Sequence, residues 1–113
     1  MIKTYKVGLI GFGFIGKTHS FCYKNMPFFY DNLPYRAEIV RVCTSRPETA
    51  QKAAELIGNG AIPCTDYHEI TDDPEIDIVD ISVPNSMHLD ILLAAIKNNK
   101  HIYCEKPMVC SAE

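Results

Sequence analysis

The sequence has no excess of basic residues, no long apolar run and no paired cysteine spacing, and each absence removes a class of function. The 113 residues carry a formal charge of −3, and the eleven lysines and arginines are scattered. That leaves no electrostatic footprint for nucleic acid. No stretch approaches the ~20 apolar residues needed to span a bilayer, so a membrane partner is not expected. The five cysteines, Cys22, Cys43, Cys64, Cys104 and Cys110, are odd in number and contain no C-x-x-C pair, which argues against a disulfide framework and a zinc site. Cys43 and Cys104 each close an apolar run and read as small buried hydrophobes. Met1 to Lys6 leads straight into a strand and leaves no room for a signal peptide, so a reduced, cytoplasmic protein is expected. What remains is an ordinary globular composition, 47% hydrophobic and 22% charged, enough for one domain over residues 1–113.

Within it, Val7-Gly8-Leu9-Ile10-Gly11-Phe12-Gly13-Phe14-Ile15-Gly16 is an apolar run that stops at a glycine and continues at G-x-G-x-x-G spacing. Gly11 allows a sharp turn out of a strand. Gly13 allows the backbone to approach a pyrophosphate, and Gly16 allows the following helix to pack closely on the sheet. The helix N-terminus then offers N–H groups and a positive dipole end. Phe12, Phe14 and Ile15 lie between these glycines and share the candidate cofactor loop.

The elements alternate. Strands are expected at Lys6–Ile10, Glu38–Cys43, Ala61–Cys64, Ile76–Val83 and His101–Cys104. The first helix is expected from Phe14 to about Asn25, with Ile15, Cys22 and Met26 on one side. Two prolines, Pro27 and Pro34, bracket an aromatic cluster and argue against continuing that helix; the cluster reads as a packed loop or a contact. Pro47 opens a second helix, with Ala50, Ala53, Ala54 and Ile57 as a narrow apolar stripe and Gly58 as its stop. Asp66–Ile70 reads as one helical turn. The acids Asp66, Glu69, Asp72 and Asp73 read as a solvated connection in preference to a metal site. A helix from about Ser86 to Asn98 shows Leu89, Leu92, Leu93 and Ile96 at core spacing, and Ser111 opens a further turn. This order predicts an α/β doubly wound parallel sheet in three α/β/α layers with right-handed crossovers.

Ligands of such sheets bind beyond the carboxyl ends of the strands, which gathers four segments at one edge: the glycine loop, Thr44-Ser45-Arg46, Pro84-Asn85 and Glu105-Lys106-Pro107. After strand two no carboxylate appears until Glu48. Two hydroxyls and a guanidinium suit a ribose 2′-phosphate, so NADP(H) is expected over NAD(H); Arg46 stacking on adenine or facing solvent is the bland alternative. Asn85 is explained equally by helix capping, and His88, in the first turn of that helix, reads as structural or functional. Lys106, restricted by Pro107, is the candidate catalytic residue: beside a substrate hydroxyl it can assist proton transfer as hydride leaves the adjacent carbon.

Gly11-Phe12-Gly13-Phe14-Ile15-Gly16, Pro84-Asn85-Ser86-Met87-His88 and Glu105-Lys106-Pro107, in that order, resemble the N-terminal dinucleotide domain of the Gfo/Idh/MocA oxidoreductases, across the whole chain. The resemblance implies a Rossmann fold and an NAD(P)-dependent dehydrogenase acting on the CH–OH group of a sugar, polyol or related compound. It places Lys106 in the catalytic group, with Glu105 and Pro107 holding it near the nicotinamide, and puts Pro84, Asn85 and His88 along the cofactor pocket. The family's histidine and aspartate partners lie in a C-terminal α/β domain, through which its homo-oligomers also commonly form. No such domain is present, so cofactor binding without turnover is expected of these residues. The competing reading is a non-catalytic Rossmann dinucleotide sensor or protein-interaction module, for which Lys106 is not required. An S-adenosylmethionine-dependent methyltransferase would explain the glycines but leave Lys106 without a role.

Overall fold

The computed structural model describes residues 3–29, 34–83 and 88–104. In chain order the elements are β1 (Lys3–Ile10), α1 (Phe14–Phe29), β2 (Tyr35–Cys43), α2 (Pro47–Ile57), β3 (Ile62–Cys64), α3 (His68–Thr71), β4 (Ile78–Ile81), α4 (His88–Lys97) and β5 (His101–Cys104). The five strands form one sheet in the order β3-β2-β1-β4-β5, every pairing parallel. The Rossmann-type doubly wound sheet is therefore present. Its order reverses at β1, which lies between β2 and β4, and this reversal opens a crevice at the strand ends.

Alternation along β1 divides the core. Val7 and Leu9 face α1 and α2, packing with Ile39, Val42, Ala53 and Ala54. Ile10 faces the other side and joins Cys43, Ile70, Val79, Ile81, Ile91 and Ala95. Gly8 shares that second face, and a Cβ there would run into the Ile70 side chain and crowd Ile76. A side chain at this position would lift α3 off the sheet.

Helix α2 buries Ala50, Ala53 and Ala54 as expected, and Gly58 closes it at φ 75°. Asn99, at φ 58°, turns the chain after α4. Two helices depart from expectation. First, α1 continues through Pro27 to Phe29. Pro27 stands in the closing turn, where its missing N–H costs one helical bond and leaves the preceding turns intact. In the aromatic cluster Tyr35 packs edge-on against Tyr5, Phe28 is exposed, and residues 30–33 lie outside the described residues. Second, the inner face of α4 is His88, Ile91, Leu92 and Ala95, while Leu89, Leu93 and Ile96 are 43%, 56% and 59% exposed. This helix is apolar around most of its circumference, so periodicity cannot select the buried side; the small Ala95 allows the closer approach to the sheet. The strand boundaries also shift: β2 begins three residues earlier than expected, and β4 is confined to Ile78–Ile81.

The acidic connection is held together by its own polar bonds. The Asp66 carboxylate accepts from the backbone N–H of His68, and that bond, with the His68 ring, holds its carboxyl below the usual range. Asp73 accepts from the N–H of Glu75 and from Arg41, and its carboxyl is likewise depressed, chiefly by the Glu75 N–H. No described helix is long and apolar enough to cross a membrane.

Replacing Gly8 by alanine should destabilise the fold by about 1–3 kcal/mol, the usual cost of overpacking a filled core. Urea unfolding midpoints at constant m-value measure it; an unchanged midpoint would mean that α3 yields without cost.

Candidate functional site

The crevice begins where β1 ends. The N–H of Gly11 donates to the Cys43 carbonyl at 2.8 Å, and the N–H of Ser82 donates to the Ile10 carbonyl at 2.8 Å. Both neighbouring strands thus grip the point at which the chain leaves β1. Gly11 stands at φ 97°, and a Cβ there would strike the Ser82 carbonyl and Val83. A Cβ on Gly16 would strike the Gly11 carbonyl, so α1 enters the loop at backbone contact. Gly13 differs: it is exposed, and a Cβ there would meet nothing within 4 Å. Internal packing accounts for Gly11 and Gly16 but not for Gly13, which leaves open space above the first turn of α1. That turn carries no acid, and its N–H groups point at whatever occupies the space. Phe12 is half-buried, whereas Phe14 and Ile15 are exposed at the mouth.

Beneath this loop lies a buried polar cluster that the sequence pattern did not reveal. Asp80, on β4 and fully buried, pairs laterally with Leu9 and with Tyr103. His19 Nδ1 lies 2.9 Å from both carboxylate oxygens. The Tyr23 hydroxyl donates to Oδ2 at 2.9 Å and the Ser82 hydroxyl to Oδ1 at 3.0 Å. These partners satisfy both oxygens of the Asp80 carboxyl group. The Tyr103 ring stacks on His19 with centroids 4.4 Å apart. Burial, then the Asp80 charge, pushes the Tyr23 hydroxyl well above its ordinary pKa. The inner face of α1 is accordingly Gly16, His19, Ser20 and Tyr23, not Ile15, Cys22 and Met26, and both Ile15 and Cys22 are exposed. The signal was present in sequence: an acid inside an apolar strand demands donors, and His19 and Tyr23 follow Gly16 at helical spacing.

At the end of β2, the Thr44 hydroxyl is committed to the turn into α2, bonded to the Arg46 carbonyl and to Thr49. Ser45 and Arg46 are exposed. His88 is fully buried: its Nε2 lies 2.7 Å from the Val83 carbonyl and its Nδ1 3.6 Å from Cys104 Sγ. The ring therefore links the start of α4 to the end of β4 and to β5. Pro84, Asn85, Glu105, Lys106 and Pro107 lie outside the described residues; Val83 and Cys104, which lead into them, stand at the same sheet edge. A cavity of about 430 Å³ runs from Phe12 and Lys17, beside the glycine loop, down over the start of β2, where Lys24, Arg36, Leu56 and Ile57 line it. Most of its wall is remote from the strand ends, so strand topology makes the Gly11–Gly16 crevice the stronger ligand site.

Residues 5–113 match the Gfo/Idh/MocA family model, described as an oxidoreductase family with an NAD-binding Rossmann fold. Levoglucosan dehydrogenase of Pseudarthrobacter phenanthrenivorans is 40% identical over 114 residues, covering 99% of this chain and 28% of that protein. The scyllo-inositol 2-dehydrogenase (NADP(+)) of Bacillus subtilis is 30% identical over 115 residues, covering 99% of this chain and 28% of its own length. A solved levoglucosan dehydrogenase in complex with NADH superposes with a TM-score of 0.89 at 41% identity, covering 95% of this chain and 28% of that one. The chain thus spans less than a third of the length of the relatives it matches.

Replacing Asp80 by alanine strands the His19, Tyr23 and Ser82 donors in the core and should cost about 1–3 kcal/mol for each group left unsatisfied. Tyr23 contributes a stability term that is present at neutral pH and lost as pH rises above about 10, where the unfolded phenol ionises and the folded one does not. Denaturant titrations across alkaline pH should show a shallower loss in Tyr23→Phe than in the parent; identical slopes would contradict the assignment.

Proposed function

Because the chain belongs to the Gfo/Idh/MocA oxidoreductase family, with that family's NAD-binding Rossmann fold, we propose that it binds a nicotinamide dinucleotide across the ends of β1, β2 and β4. On this reading it forms the cofactor side of a dehydrogenase acting on the CH–OH group of a sugar, polyol or related compound. The observation that carries the proposal is Gly13. Its neighbours Gly11 and Gly16 are explained by contacts within the protein, whereas Gly13 faces open space at the mouth of a helix, where a pyrophosphate fits against backbone N–H groups.

The nicotinamide, when bound, supplies the hydride acceptor or donor. This chain's own residues bind and orient it. The glycine loop takes the pyrophosphate, with Phe12, Phe14 and Ile15 around it, and Ser45 and Arg46 face the adenosine ribose. Since Thr44 is occupied within its turn, the 2′-phosphate reading rests on Ser45 and Arg46, with no acid before Glu48, and NADP(H) remains the preferred cofactor on that chemistry. His88 joins Val83 to Cys104 at the cofactor edge, and Pro84 and Asn85 belong to the same cofactor side. Lys106, between Glu105 and Pro107, holds and moves the substrate hydroxyl proton. The 113 residues form a single cofactor domain that binds without turnover, because the substrate's side of the crevice is built by a second domain. The setting is cytoplasmic, with homo-oligomers formed through that second domain.

Fluorescence titration with NADH and NADPH tests binding directly: saturable binding of at least one is expected, with NADPH the tighter. Gly13→Val, which costs no internal contact, should abolish binding while leaving the unfolding midpoint nearly unchanged. No saturable binding by the folded parent would overturn the proposal, and tighter NADH binding would overturn the preference. In a form of the protein that turns over, Lys106→Ala should lower kcat by about 100-fold or more, as loss of a general acid–base does, with cofactor affinity nearly intact.

A further inference from the structure

The thiols of Cys43 and Cys64 take no part in the cofactor site, and three features distinguish them from ordinary core cysteines. The first is register. Cys43, the last residue of β2, lies directly opposite Cys64, the last residue of β3, and both side chains enter the same core cluster. Neighbouring strands run about 4.7–4.9 Å apart, inside the roughly 4.4–6.8 Å between Cα atoms that a disulfide spans. Register and strand spacing thus place the two residues within Cα reach of a bridge. The second is mutual influence. The neighbouring Cys64 pushes the Cys43 thiol up while Cys43 draws the Cys64 thiol down, the latter assisted by Arg41 and opposed by burial, Glu69 and Asp66; the Cys43 thiol itself faces the Thr44 carbonyl at 3.9 Å. The third is access. Cys64 lines an open cavity of about 280 Å³ with Pro47, Ala50, Gln51, Thr65 and Glu69.

We propose that Cys43 and Cys64 form a modification site, a cross-strand dithiol that a hydroperoxide entering this cavity oxidises to an intramolecular disulfide. Cys64, as thiolate, attacks one peroxide oxygen and the O–O bond breaks. The departing hydroxide is protonated by solvent, which took up the Cys64 proton when the thiolate formed, giving water and leaving a sulfenic acid on Cys64. The Cys43 sulfur then attacks the Cys64 sulfur; its proton goes to the leaving hydroxide, which departs as a second water. Two S–H bonds are lost, one S–S bond forms, and two electrons pass to the peroxide. The bridge ties down the base of the segment carrying Ser45 and Arg46, since Thr44 follows Cys43 directly and its N–H already donates to the Cys64 carbonyl at 3.2 Å.

The test uses the reduced protein with Cys22→Ser, which removes an exposed competing thiol. After hydrogen peroxide, alkylation and proteolysis, mass spectrometry should show one peptide pair joined through Cys43 and Cys64 and lacking two hydrogens. It should be released by dithiothreitol and form at a rate independent of protein concentration. In Cys43→Ala, dimedone should label Cys64 as the trapped sulfenic acid. The proposal is overturned if both thiols remain alkylatable, if they end as separate sulfinic acids, or if either joins Cys104 or Cys110 instead. None of these readouts involves cofactor, so they stand apart from the dinucleotide proposal.

Discussion

A carboxylate with no access to water sits at the centre of this fold. Asp80 is fully buried, and a polar group in that position is tolerated only where hydrogen-bond partners surround it. His19, Tyr23 and Ser82 are those partners. Two of them stand on α1, so the helix is tied to β4 by directional bonds at the place where apolar packing would let it slide. The consequence reaches the glycine loop. Gly16 opens the same inner stripe of α1 and touches the Gly11 carbonyl, so fixing His19 and Tyr23 on Asp80 also fixes the height of the helix N-terminus above the sheet. Stability is gained less from these bonds themselves than from avoiding unsatisfied groups in the core; what the cluster contributes is position.

The reversal of strand order does the rest. β1 is held on both sides, and the hydrogen bonds from Gly11 to Cys43 and from Ser82 to Ile10 come from the two neighbours at the same level. A loop leaving so constrained a strand end has little freedom, which suits a cradle for phosphate: the N–H groups are arranged before the ligand arrives, and binding spends little on ordering them. Thr44, bonded into the turn before α2, gives the chain after β2 a similarly settled backbone, from which Ser45 and Arg46 reach solvent.

The parts of this arrangement that were legible in sequence are those with a local cause. The glycine spacing, the alanine stripe of α2 with Gly58 behind it, and the alternation of strands and helices each follow from backbone sterics or a one-sided periodicity, and each is found in place. The misread parts depended on partners distant in sequence. The inner face of α1 is polar because Asp80, some sixty residues away, needs donors; an apolar-face rule therefore selected Ile15 and Cys22. In α4 apolar residues surround the helix, and only the close approach of Ala95 to the sheet decides which side is covered. A proline breaks a helix interior, but Pro27 stands in a closing turn, where one lost bond is tolerable.

The central claim is that a dinucleotide lies on the loop at the β1–β4 reversal and not in the cavity over the start of β2. Backbone amide chemical shifts recorded during NADPH and NADH titration test it most directly. The account predicts saturable shifts concentrated at Gly11, Gly13, Gly16, Ser45, Arg46 and Ser82. Shifts concentrated instead at Lys24, Arg36, Leu56 and Asn59, with the glycine loop unmoved, would contradict it.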